Sequence, residues 1–208
     1  ATWAELDRIL DRQFTFANGL SMTVARTFVD SGYSTQNVYA YCRLNANRGR
    51  FAIKGKAGMG VPLIFRYSYP QNAGIILTVL GVDAGKNEVM SNLNVTDGAG
   101  CMHFGNDDEF LGSRGYDSVY FKQLISERRV FKKSGGVVYT AWETISSHAR
   151  NESLDLAVYN LACAQSCVGK DAETFWRNRA ELLRGEPQPK KPRAVPKHKA
   201  FKEVDLWA

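Results

Sequence analysis

Apolar and polar positions along the chain alternate between the period of a helix and that of a strand. Residues 2 to 12 show apolar positions at helical spacing, with Trp3, Leu6, Ile9 and Leu10 on one face. Residues 20 to 30, LSMTVARTFVD, read as a strand with Leu20, Met22 and Val24 on one side and Asp30 at its end. The Ser-Gly-Tyr-Ser turn leads into a helix over Thr35 to Leu44, for which Ser34 is the expected N-cap. RFAIKG is a short strand, residues 55 to 62 are a glycine-rich loop, and LIFRYSY is a further strand followed by a turn at Pro70 to Gly74. GIILTVLGVD is the most apolar stretch and reads as a central strand ending in Asp83. EVMSNLNV fits a strand or a short helix, and TDGAGCMHFGNDDEF is a loop. Asp117 to Ser126 is helical, and RRVFKKSGGVVYTAW is a hairpin turning at Ser134-Gly135-Gly136. The strongest helix spans residues 150 to 168, where Leu154, Ala157, Val158 and Leu161 form an apolar stripe, and a second runs from Lys170 to Leu183. This order of strands and helices implies a mixed α/β domain.

Composition narrows the class. A hydrophobic share of 44% excludes a natively disordered chain. No apolar run approaches the roughly 18 residues of a membrane span, and the charged start ATWAELDRIL is not a signal peptide. The start at alanine points to a fragment or a processed chain. The +6 net charge is concentrated near the end, in PQPKKPRAVPKHKAFK, so residues 1–185 form the expected domain and 186–208 a basic, extended tail. That tail suits DNA phosphates, a docking arm, or no partner at all. Cys163 and Cys167 sit at i, i+4, but no second Cys or His pair completes a zinc set, so Cys42, Cys101, Cys163 and Cys167 read as reduced, buried thiols.

The candidate chemistry is carboxylate-based. Asp30 and Asp83 each close a strand, the end at which α/β folds keep their sites; each alone also suits a turn cap. Glu152 and Asp155, at i, i+3, share a helix edge, which is equally the pattern of a solvated face near Arg150 or Lys170. Brought together, such carboxylates would suit a hard divalent cation. A restriction-type site is disfavoured because Ala52 stands where FAIK would need an acid.

Several blocks, in order, resemble a known family: TFVDSGYSTQNVYAYC, FAIKG, GVDAGK, MHF, YFKQLISERRV and RNESLDLAVYNLA. Together they look like the nuclease domain of lambda-like phage terminase large subunits, over about residues 2 to 183. The resemblance implies an RNase H-like fold and a two-metal endonuclease holding Mg²⁺ or Mn²⁺. It assigns Asp30 to the opening strand, Asp83 to a later one and Asp155 to the closing helix, with Glu152 a further metal ligand. Asp97, Asp107, Asp108 and Glu109 are acidic alternatives to Asp83. Lys54 is the preferred phosphate contact, ahead of Lys56 and Lys86; His103, Tyr33 and Gln36 are candidates near the site. The implied partners are double-stranded viral DNA, a terminase small subunit and a portal, in the host cytoplasm at the procapsid. The family's ATPase is not expected here, because no G-x-x-x-x-G-K-[ST] motif occurs. A non-catalytic nucleic-acid- or portal-binding module on the same fold is the alternative.

Overall fold

The computed structural model describes residues 3–16, 18–104, 116–168 and 171–185. Its elements are α1 (Trp3–Leu10), β1 (Phe14–Thr15), β2 (Ser21–Met22), β3 (Thr27–Asp30), α2 (Thr35–Asn45), β4 (Arg50–Lys56), β5 (Ile64–Ser68), β6 (Leu77–Gly81), α3 (Val82–Leu93), α4 (Ser118–Leu124), β7 (Glu127–Ser134), β8 (Val137–Thr144), α5 (Glu152–Val168) and α6 (Ala172–Arg184). The main sheet has the order β3-β4-β6-β5. β3, β4 and β6 are parallel and β5 is antiparallel to β6. β1 with β2, and β7 with β8, form separate antiparallel pairs.

Successive side chains of a strand face opposite ways, and β4 uses this to build two cores. Ile53 points into a cluster with Leu63, Leu80, Val89, Leu124, Leu154, Val158 and Ala162, which seats α3, α4 and α5. Ala52 points into the other, with Val38, Tyr41, Cys42 and Leu77, which seats α2. Helices thus flank a mixed sheet on both faces, an arrangement consistent with an RNase H-like domain. The buried apolar residues of α5, Leu154, Val158 and Ala162, repeat every four positions, so the stripe read from the sequence is the face that packs. Leu6 extends the α2-side cluster. Trp3 stacks on Tyr41 at 4.2 Å, and buried Arg50 pairs with Asp7 and Asp11. These contacts hold α1 onto the domain.

Three local expectations change and one open alternative is decided. The single strand over residues 20 to 30 is two strands, β2 and β3, separated at Thr23 to Arg26; there the Arg26 guanidinium turns to the Ser166 carbonyl (2.7 Å) and hydroxyl (2.8 Å) on α5. Ser34 precedes α2 but has φ 55° and makes no side-chain cap; its hydroxyl accepts from the Asn37 amide instead. The apolar run ends as a strand at Gly81, and Asp83 lies in the first turn of α3. EVMSNLNV is helical through Leu93. The hairpin turns where expected, with Gly135 and Gly136 both at positive φ, as a tight two-residue loop requires. All four cysteines are free, Cys42 buried and the other three half-buried; burial pushes the Cys42 and Cys163 thiols up to about 11. Among the described residues no helix is long and apolar enough to cross a membrane. The expected tail lies outside the described residues.

Candidate active site

Asp30 closes β3, where parallel pairing with Ile53 of β4 ends. The carboxyl end of this edge strand opens directly to solvent, so Asp30 is exposed. Its Oδ1 accepts from the Gly32 amide at 3.0 Å, which fixes the side chain over the turn that follows. Its Oδ2 faces the Tyr159 hydroxyl at 3.4 Å. Tyr159 belongs to α5, four residues after Asp155, so the two side chains stack on one helix face. Burial raises the pKa of the Tyr159 hydroxyl, and the charges of Asp30 and Asp155 raise it further. Tyr159 therefore stands between the strand-borne and the helix-borne carboxylate.

Asp155 is half-buried in the first turn of α5. Its Oδ2 accepts from the Asn151 amide at 3.1 Å, and its Oδ1 lies 3.5 Å from the Lys86 ammonium. Burial holds its carboxyl above the usual aspartate range; Lys86 opposes this, and Glu127 and Asp30 add to it. Lys86 itself comes from α3 and is buried, donating to both oxygens of Glu127 at 2.8 Å. Glu127, the buried first residue of β7, also accepts from Asn151 at 2.6 Å. The expectation of a solvated or phosphate-contacting Lys86 therefore gives way to a buried ion pair. α3 packs against α5, and that contact delivers the ammonium to Asp155.

The structure thus sets Asp30 and Asp155 to either side of Tyr159, with Asn151, Lys86 and the buried Glu127 linked behind Asp155. Asp83 lies apart from this group. Its Oδ2 accepts from the Gly58 amide at 2.9 Å. It lines a cleft of about 290 Å³ with Met59, Pro62, Asn87, Thr140 and Trp142, which neither Asp30 nor Asp155 lines. Glu152 faces solvent in a bidentate pair with Arg150, from Nη2 to Oε1 at 2.6 Å and from Nε to Oε2 at 3.2 Å, and that guanidinium holds its carboxyl below the usual glutamate range. Lys54 is exposed on β4, one residue past the position that pairs with Asp30. Lys56 stacks over Phe65 at 4.3 Å. Tyr33, Gln36 and His103 are exposed. Asp97 accepts from the neighbouring Gly98 amide; Asp107, Asp108 and Glu109 lie outside the described residues.

Among the described residues no three His, Cys, Asp or Glu side chains form a ready-made cation site. The donor chemistry nevertheless suits a hard divalent ion. Three carboxylates against one ammonium leave the cleft negative, and Asp30 and Asp155 supply oxygen donors at a partly open position where waters can complete the shell. Burial and the neighbouring acids disfavour the charge on Asp155, a cost that a bound cation would relieve.

Fold and site together define a mixed α/β domain with an acidic cluster beside the carboxyl end of its edge strand. The chain belongs to the family of terminase large subunit gpA endonuclease domains, whose family model matches residues 1–182. It is 26% identical to the terminase large subunit of Escherichia phage lambda over 175 residues, which cover 81% of this chain and 26% of that protein. It is 24% identical to the terminase large subunit of Enterobacteria phage P21 over 174 residues, 80% of this chain and 26% of that protein. The chain therefore spans about a quarter of the length of these relatives. No solved structure gives a significant match.

Glu127, like Asn151 and Tyr159, is a site residue that sequence reasoning missed. It sits inside the run SERRVFKK, where its neighbours suggest a solvated strand. The available signal was Lys86, a lysine on the same helix face as the apolar Val82 and Val89, which needs an acid if that face is buried.

Proposed function

We propose that this chain is a divalent-metal-dependent endodeoxyribonuclease domain, cutting concatemeric double-stranded viral DNA as part of a genome-packaging terminase. The observation that carries the reading is the meeting of Asp30 and Asp155, from opposite ends of the chain, at the open end of the sheet in a member of an endonuclease-domain family. Bound Mg²⁺ or Mn²⁺ ions would supply an activated water and charge stabilisation at the leaving 3′ oxygen, which yields 5′-phosphate and 3′-hydroxyl ends. Asp30 and Asp155 would hold the ions. Tyr159 lies beside the outer oxygen of Asp30, and Asn151 fixes one oxygen of Asp155. Lys54, exposed just beyond the end of β3, contacts a DNA phosphate. Asp83, held at the Gly58 loop, and Glu152, paired with Arg150, would join them only by leaving those partners. Family membership also supports a small-subunit and a portal partner and a place in the host cytoplasm.

Supercoiled plasmid incubated with Mn²⁺ or Mg²⁺ provides the test. Relaxed and linear products are expected from the unaltered chain. They should disappear with EDTA and fall at least a hundredfold in Asp30→Ala and Asp155→Ala. No cutting with either metal, or equal cutting by both variants, would remove the assignment. Mn²⁺ binding to Asp83→Ala and Glu152→Ala separates ligands, which lose affinity, from a loop anchor and a surface ion pair, which do not.

A further inference from the structure

Glu127 touches neither Asp30 nor any open surface of the cleft, yet both groups that hold Asp155 lead back to it. Lys86 donates to Oε1 and Oε2 of Glu127 at 2.8 Å and lies 3.5 Å from Oδ1 of Asp155. Asn151 donates to Oε1 of Glu127 at 2.6 Å and to Oδ2 of Asp155 at 3.1 Å. The Lys86 side chain is 10% exposed and that of Glu127 is 5% exposed, against 32% for Asp155. The charge balance is therefore settled below the surface, and Asp155 is the member of the group that reaches outward.

We propose that Glu127 is a positioning residue for Asp155, acting through Lys86 and Asn151 and keeping the ammonium from closing onto the Asp155 carboxylate. This rests on the reading of Asp155 as a metal ligand. A buried ammonium requires a counter-charge. Glu127 meets that need with both oxygens at hydrogen-bonding distance, while Asp155 stays at 3.5 Å, beyond ordinary hydrogen-bond length. The lone pairs of Asp155 thereby remain available to a cation. With Glu127 neutral, the nearest remaining carboxylate to Lys86 is Asp155. The ammonium then closes onto it and competes directly with the metal. The same change frees Asn151 from its shared contact, so the other oxygen of Asp155 also loses its fixed orientation.

The two buried partners therefore make opposite contributions, and this distinguishes positioning from a merely structural role. Mn²⁺ binding is followed by electron paramagnetic resonance on the whole chain, alongside plasmid cutting. Glu127→Gln is expected to weaken Mn²⁺ binding at least tenfold. Lys86→Met, which removes the competitor, should bind Mn²⁺ as tightly as the unaltered chain or tighter. The double variant Lys86→Met with Glu127→Gln should recover to within about threefold of the unaltered chain. That double variant leaves no unpaired buried charge, so it keeps the proposal testable if Glu127→Gln folds poorly. Mn²⁺ affinity unchanged within twofold in Glu127→Gln overturns the proposal, as does a double variant as weak as Glu127→Gln alone. If Asp155→Ala cuts plasmid normally while the three affinities follow the expected order, the nuclease assignment fails and the role of Glu127 stands. Unchanged Mn²⁺ affinity in Asp155→Ala overturns both.

Discussion

Gly85 lies at the closest approach of α3 to α5, and adding one methyl group there should destabilise the domain. Propensity alone argues the other way, since alanine is favoured over glycine in a helix interior by about 1 kcal/mol. A Cβ at Gly85, however, would stand 2.4 Å from Cγ1 of Val158, 2.9 Å from Cδ1 of Leu63 and 3.3 Å from Cγ2 of Val158. Carbon pairs prefer about 3.5–4.0 Å, so α3 and α5 must separate by roughly 1 Å. Val158 is fully buried and Leu63 nearly so, and neither can swing aside into solvent. Overpacking of this kind costs about 1–3 kcal/mol, occasionally more. Three strained contacts among buried side chains put Gly85→Ala above that range before the propensity gain is subtracted. The expected net loss is about 2 kcal/mol, or roughly 4–8 °C in Tm for a domain of this size. Urea unfolding measures it directly. Val158→Ala removes two of the three carbons that the new methyl group meets, and alone it costs about 2 kcal/mol through the cavity it leaves. Combined, the two changes should cost at least 1 kcal/mol less than the sum of the singles. A Gly85→Ala variant as stable as the unaltered chain, or strictly additive losses, would refute the packing argument. The outcome also bears on chemistry, because the two helices that would separate carry Lys86 and Asp155.

Other consequences follow from the same structure. Leu154→Ala, at a fully buried position between α5 and the sheet, should cost about 2–5 kcal/mol in chemical denaturation. Arg50→Met leaves Asp7 and Asp11 without their buried partner; since both carboxylates are partly exposed, the loss should lie near 3 kcal/mol, at the low end for a broken buried pair. It should be accompanied by a change in Trp3 fluorescence as the Tyr41 stack loosens. The folded-state pKa of Asp155 is raised, chiefly by burial. Its contribution to stability is therefore fully present below its unfolded pKa and is lost as pH rises through the folded value. In EDTA, Asp155→Asn should then match the unaltered chain near pH 3.5 and exceed it in stability at pH 7; a gap that shrinks as pH rises contradicts the assignment of cause.

Much of the architecture is legible because local pattern and tertiary packing agree. The stripe of Leu154, Ala157, Val158 and Leu161 marks the face of α5 that packs, and Gly135-Gly136 alone specifies the hairpin turn. Asp30 is readable for the same reason: a carboxylate after TFV and before Ser-Gly marks where an edge strand ends. The reading loses force where a neighbour distant in sequence decides the outcome. GIILTVLGVD looks like one strand down to its aspartate because a short apolar run has no period of its own. The break comes at Gly81, where a Cβ would lie 2.4 Å from the Pro62 carbonyl oxygen. That close approach ends the strand and lets Val82 start a helix, so Asp83 turns toward the Gly58 loop. Ser34 has the right identity for a cap, but it sits in a left-handed conformation that directs its hydroxyl to Asn37.

The position of the Lys86–Glu127 pair also follows from packing rather than from any stability it confers. A buried ion pair contributes little net stability compared with an apolar pair of the same volume, because desolvation offsets most of the Coulomb gain. Two apolar residues here would hold α3 against α5 equally well, but they would leave Asp155 with Asn151 alone at one oxygen. Asn151 would then lack its second anchor on Glu127, and the oxygen it holds would lose its fixed orientation. With the ion pair in place, the same contact that closes the core also orients a carboxylate at its rim. Stability and orientation can therefore be separated by experiment. Replacing Lys86 and Glu127 together by Met and Gln should change the unfolding free energy by less than about 1 kcal/mol, while broadening the Mn²⁺ resonance through a less uniform ligand geometry. A sharp, unaltered resonance with a large loss of stability would mean that the pair serves the core and not the cleft.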